Sequence, residues 1–157
     1  MPGPLPDGEP VPADGNLPDS AHQGRGERPF GIYVHVPFCT TRCGYCDFNT
    51  YTAAELGPGA TRDSYAGQAI GEIRLARRVL GSAAAQVGTV FFGGGTPTLL
   101  PPADLAAILR AIDAEFGLTP GAEVTTEANP ESVDERSLAG LVQAGFTRIS
   151  FGMQSAV

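Results

Sequence analysis

Cys39, Cys43 and Cys46 all fall in FCTTRCGYCDF (38–48), and they are the only cysteines in the chain. Thiolates are soft ligands that favour iron–sulfur clusters and zinc. Three of them at C-x3-C-x2-C spacing on a short loop can wrap one cubane and leave its fourth iron open, whereas most [4Fe–4S] clusters take four cysteines. An open iron can bind a small molecule directly, which a closed electron-transfer cluster cannot. Two other chemistries compete. A structural zinc site needs a fourth ligand, and the chain has two histidines, His22 and His35. A disulfide would leave one thiol over and suits an oxidising compartment.

The cysteine loop needs a strand to carry it. GIYVHVPF (31–38) has the apolar, β-branched character of one and is stopped by Pro37. A Gly/Pro stretch near 57–60 follows the loop. Residues 63–80 then place Ala66, Ala69, Ile70, Ile73 and Leu80 at helical spacing, with Gly81 as the C-cap. VGTVFFGGG (87–95) is a short apolar strand running into glycines. PPADLAAILRAIDAEFG (101–117) opens on proline, puts Leu105, Ile108, Leu109, Ile112 and Phe116 on one face, and ends at Gly117. AEVTTEANP (122–130) is a strand closed by Asn-Pro. SVDERSLAGLVQAG (132–145) is a helix whose expected capping box joins Ser132 to Glu135 and whose expected core face is Leu138, Leu141 and Val142. TRISFGMQ (147–154) is the fourth strand. The order is βαβαβαβ, an α/β pattern that implies parallel strands with right-handed crossovers.

Side chains alternate across a strand, so each strand divides into two faces. Tyr33 and His35 oppose Ile32, Val34 and Val36. Thr125 and Glu127 oppose Val124 and Thr126, while Ser150, Gly152 and Gln154 oppose Ile149, Phe151 and Met153. Strands buried on both sides read as continuous apolar sequence, and three of these four do not. Their polar faces either meet solvent or line a ligand cavity inside a barrel, near the C-terminal strand ends. Alternation alone leaves both open.

Composition narrows the setting. The 157 residues suffice for one domain with a sizeable core. A net charge of −7 leaves no basic stripe for nucleic acid. All ten basic residues are arginine, which reads as codon bias and carries no function. No apolar run is long enough for a transmembrane segment, and the N-terminus lacks the pattern of a signal peptide. With clustered unpaired thiols, this predicts a cytoplasmic protein. Residues 1–28 are rich in Pro, Gly and acidic side chains and are expected to be a disordered tail ahead of a domain over 29–157. The chain stops just past the fourth strand, so it reads as the front portion of a longer protein.

CTTRCGYC resembles the CxxxCxΦC signature of radical S-adenosylmethionine (SAM) enzymes, with Tyr45 as the aromatic Φ. The flanking YVHVPFC and CDFNTY, with FFGGGTPTLL downstream, resemble the subfamily of oxygen-independent coproporphyrinogen III oxidases and the related heme chaperones of the HemW branch. The resemblance runs from about residue 31 to the end. It implies the N-terminal part of a partial (β/α) barrel, with Cys39, Cys43 and Cys46 as ligands of a [4Fe–4S] cluster whose open iron is chelated by SAM. In the family, one-electron reduction cleaves SAM to methionine and a 5′-deoxyadenosyl radical. Tyr33, Tyr45, Gly94, Gly95, Thr96 and Glu127 match SAM-contacting positions. Gln154 matches a glutamine that contacts a second SAM in the oxidases. No catalytic residue is assigned, and His35 is expected to support the site rather than to ligate.

The family splits at Phe48. The oxidases carry another cysteine two residues after the last cluster ligand, where this chain reads Cys46-Asp47-Phe48. The CDF form resembles the chaperone branch, so the resemblance implies a protein that binds heme as cargo and passes it to an acceptor protein. A one-electron donor such as flavodoxin or ferredoxin would complete the set of partners. The alternative is an oxidase that decarboxylates two propionates of coproporphyrinogen III.

Overall fold

The computed structural model describes residues 12, 15–18, 21, 24, 26–52, 55, 61–81 and 85–153. Most of the expected tail, His22, the Gly/Pro stretch near 57–60, and Gln154 lie outside the described residues. Four strands, β1 (Phe30–Val36), β2 (Val87–Gly94), β3 (Leu118–Ala128) and β4 (Arg148–Phe151), alternate with three helices, α1 (Arg62–Leu80), α2 (Pro102–Phe116) and α3 (Glu135–Gln143). The strands form one sheet in the order β1-β2-β3-β4, and each neighbouring pair is parallel. Sequential order with crossovers of one hand keeps every helix on the same face of the sheet. The core bears this out. Val34, Val36, Val90, Phe92 and Val124 from the strands share one buried cluster with Ala66 and Ile73 of α1, Leu105, Ile108, Leu109 and Ile112 of α2, and Leu141 of α3.

The helices begin and end where local chemistry satisfies their backbone. Thr61 caps α1, its side chain accepting from the Ser64 N–H, and the Arg77 guanidinium donates to the Gly81 carbonyl at 2.9 Å at the far end. Pro102 occupies the first turn of α2, where its missing N–H costs nothing.

Three details differ from the sequence reading. The cap of α3 is Asp134, not Ser132: the Asp134 carboxylate accepts from the Ser137 N–H at 2.7 Å, which holds its pKa below the usual carboxylate value. Pro130 commits Pro130–Ser132 to a single 3-10 turn, and Val133 returns to extended backbone, so no helix can start before 134. Val142 is 69 % exposed, because only the Leu141 stripe of this short helix reaches the core. β3 also begins at Leu118, earlier than expected. Its pairing with β2 breaks between Val87 and Thr89 and becomes regular from Glu123 onward.

Phe92 is fully buried at the centre of this core, with its ring 5.2 Å from that of Phe146. Phe92→Ala is expected to lower unfolding free energy by about 3–5 kcal/mol in urea titration. Val142→Ala on the exposed side of α3 should change it by no more than about 0.5 kcal/mol.

Candidate cofactor site

The C-terminal ends of β1 and β2 meet at the backbone of Phe38. Its carbonyl accepts from the Thr96 N–H at 2.7 Å, and the Val36 carbonyl accepts from the Gly95 N–H at 2.8 Å, which extends the β1–β2 ladder past both strands. On its other side Phe38 bridges Tyr51. There the Tyr51 N–H donates to the Pro37 carbonyl at 2.7 Å and the Cys39 N–H to the Tyr51 carbonyl at 3.0 Å. Residues 39–50 therefore form a compact loop closed at its neck, an Ω-loop in character. The Phe38 ring is buried and packs edge-on against Tyr65, 5.4 Å between centroids. Burial pushes the Tyr65 hydroxyl up to about 12, so it stays a donor, and it bonds the His35 carbonyl at 2.5 Å.

The three thiols sit on this loop and are unpaired: Cys39 and Cys46 are half-buried and Cys43 is exposed. The Cys46 sulfur lies 3.8 Å from the Thr50 hydroxyl. Among the described residues no three His, Cys, Asp or Glu side chains gather tightly enough to hold a single metal ion. A cubane takes each thiolate at a different corner and needs no such convergence. Three soft donors on one short loop thus fit a cluster better than zinc.

That glycine turn must come very close. A Cβ on Gly95 would strike the Phe38 carbonyl and stand 3.0 Å from the Cys39 sulfur. Gly94 has φ of 113°, and a Cβ there would lie 2.6 Å from Cε1 of His35. The Glu127 carboxylate accepts from the Gly94 N–H at 3.1 Å, tying β3 to the turn.

Register puts the polar side chains on one face. Tyr33, Phe91, Thr125 and Arg148 are aligned across the sheet, and one step toward the C-terminal ends Glu127 pairs with Ser150. His35 pairs with Gly93 in the same step. These side chains point away from the helices, and for Tyr33, His35, Thr125, Glu127 and Ser150 this is the face that the alternation assigned. Tyr33 is 56 % exposed and stacks on Phe91 at 6.1 Å. Burial and the neighbouring Glu127 carboxylate hold its hydroxyl above the ordinary value. His35 links this face to the loop, with Nε2 2.8 Å from the Asn49 carbonyl and Nδ1 3.0 Å from the Tyr33 hydroxyl. A carbonyl oxygen only accepts, so Nε2 carries the proton and Nδ1 accepts from Tyr33. Asn49 in turn takes a bond from the Tyr51 hydroxyl at 2.5 Å.

The structure thus brings together Cys39, Gly94, Gly95, Thr96, Glu127, Tyr33 and His35. Tyr45 stands 68 % exposed on the loop. Sequence reasoning missed Asn129, whose amide donates to the Thr96 hydroxyl at 3.0 Å. The signal available was Asn129-x-x-Ser132, a cap-like spacing overlooked because Asn-Pro was read only as a strand stop.

A singly wound parallel sheet with helices on one face, and a three-thiol loop whose Cys39 lies beside a glycine turn, fit the α/β architecture of the radical SAM class. Residues 33–156 match the Radical SAM superfamily, and the chain belongs to it. It is 52 % identical over 128 residues to "Heme chaperone HemW" of Mycobacterium tuberculosis, covering 82 % of this chain and 32 % of that protein. Over 127 residues it is 35 % identical to the Escherichia coli heme chaperone HemW, covering 81 % of this chain and 32 % of that one. Over 124 residues it is 42 % identical to mouse "Radical S-adenosyl methionine domain-containing protein 1, mitochondrial", covering 79 % and 27 %. The solved structure of coproporphyrinogen III oxidase (HemN) from Escherichia coli superposes with a TM-score of 0.73 at 27 % identity, covering 90 % of this chain and 32 % of that one. The chain spans about a third of the length of these proteins. Among the described residues no helix is long and apolar enough to cross a membrane.

The glycine turn supplies a direct check. Gly94→Ala forces a side chain into a left-handed backbone and onto His35, and is expected to lower the thermal midpoint by several degrees. Gly44→Ala, with nothing within 4 Å of its Cβ, should leave the midpoint within about 2 °C.

Proposed function

We propose that the protein is a heme chaperone of the radical SAM type, holding a [4Fe–4S] cluster and SAM and passing heme to an acceptor protein in the cytoplasm. The observation that carries this reading is the 52 % identity to the Mycobacterium tuberculosis heme chaperone across most of this chain. Phe48 adds to it. The ring is 64 % exposed, so core packing does not account for a phenylalanine where the oxidases place cysteine. No heme ligand is assigned among the described residues.

In this reading Cys39, Cys43 and Cys46 would hold the cluster, and the residues of the glycine turn would meet SAM. When bound, the cluster and SAM would supply one-electron radical chemistry, with a donor of the flavodoxin or ferredoxin kind as the electron source. The protein's own residues position and orient. Gly94 and Gly95 admit the ligand to the backbone, and Tyr33 and Tyr45 offer aromatic surface. Gln154 would complete the set from the end of the fourth strand. The Gly94 N–H orients the Glu127 carboxylate, which keeps a second oxygen for a ligand cation.

A second reading, coproporphyrinogen III oxidase, rests on the structural likeness to HemN. Anaerobic incubation with coproporphyrinogen III, SAM and a reductant separates the two. The chaperone reading expects heme binding and transfer with no protoporphyrinogen; formation of protoporphyrinogen would reverse it. The cluster is checked separately. Anaerobic reconstitution should load about four irons and four sulfides per chain, and Cys→Ala at 39, 43 or 46 should each abolish this. Stoichiometric zinc would defeat the assignment.

A further inference from the structure

The turn after β3 makes a polar clasp that reaches the candidate cofactor site. Asn129 donates its N–H to the Ser132 hydroxyl at 3.0 Å, and that hydroxyl donates back to the Asn129 carbonyl at 2.6 Å. Ser132 lies 2.6 Å from the Thr98 hydroxyl, just beyond the glycine turn. From this anchored turn the Asn129 side-chain amide donates to the Thr96 hydroxyl at 3.0 Å. Thr96 is only 4 % exposed, and among the described residues nothing accepts its hydroxyl proton.

A hydroxyl has one proton and two lone pairs. The Asn129 amide fills one lone pair, so one donor and one acceptor remain on the hydroxyl of a residue that is almost wholly buried. A buried donor left without a partner is destabilising, so it marks a place where a ligand completes the bonding. A neighbouring donor and acceptor on a single atom suit a zwitterionic α-amino acid head, whose carboxylate accepts and whose ammonium donates.

We propose that Asn129 is a positioning residue that fixes the rotamer and polarity of Thr96, so that Thr96 recognises the amino-acid head of SAM. This rests on the reading that SAM occupies the site. It adds that recognition of the head depends on a residue that does not touch the ligand.

The test measures equilibrium binding of SAM and of 5′-deoxyadenosine, which lacks the amino-acid head, to the cluster-loaded protein. Asn129→Ala should retain its iron content, bind SAM on the order of tenfold more weakly, and bind 5′-deoxyadenosine as the parent does. Asn129→Asp keeps the shape but only accepts, so it draws the Thr96 proton toward itself; it should weaken SAM similarly. Both variants should also lessen the change SAM makes in the EPR spectrum of the reduced cluster. Unchanged SAM affinity in either variant, or equal weakening of both ligands, overturns the inference and leaves the SAM site standing. A parent protein that binds no SAM overturns both.

Discussion

Everything in the site hangs on the peptide backbone around Phe38. On one side it continues the β1–β2 ladder to Thr96, and on the other it closes the neck of the cysteine loop through Tyr51. One residue thereby sets the distance between the thiols and the glycine turn. The Phe38 ring holds it there by burial against Tyr65, whose hydroxyl in turn bonds the backbone of β1. Gly95 follows from the same geometry. A side chain at that position would meet the Phe38 carbonyl, so the close approach of loop and turn requires glycine.

The second organising fact is the one-sidedness of the sheet. With every helix on the same face, apolar strand residues such as Val36, Val90 and Phe92 are taken into the core. The other face is left to Tyr33, His35, Thr125 and Glu127. Each is tied to a partner: Tyr33 to His35, Thr125 to Glu123, and Glu127 to the Gly94 amide. A polar face whose side chains are already held in hydrogen bonds is preorganised.

Much of this was legible in the sequence because it depends on short-range periodicity. Ile108, Leu109 and Ile112 recur at helical spacing and are all buried, and strand alternation separated Glu127 from Val124 correctly. Misreadings arose where two local signals competed. Ser132 and Asp134 both precede apolar helical sequence with a capping partner three residues on. Pro130 and the extended backbone of Val133 decide for Asp134, and neither outweighs the other signal until the chain is folded. Val142 fits the helical stripe by spacing, yet its exposure depends on which neighbours lie beside α3.

The sequence by itself determined the element order, the glycines at the close approach, and the three thiols with the resemblance they carry. Those are properties of residue type and spacing along the chain. Only the tertiary structure decided that Phe38 joins loop to turn, that His35 carries its proton on Nε2, and that Asn129 reaches Thr96. Asn129 and Thr96 are separated by all of α2 and β3, and their hydrogen bond exists because parallel pairing brings the C-terminal ends of β2 and β3 side by side. Contacts of that kind are set by sheet register, which no local pattern encodes.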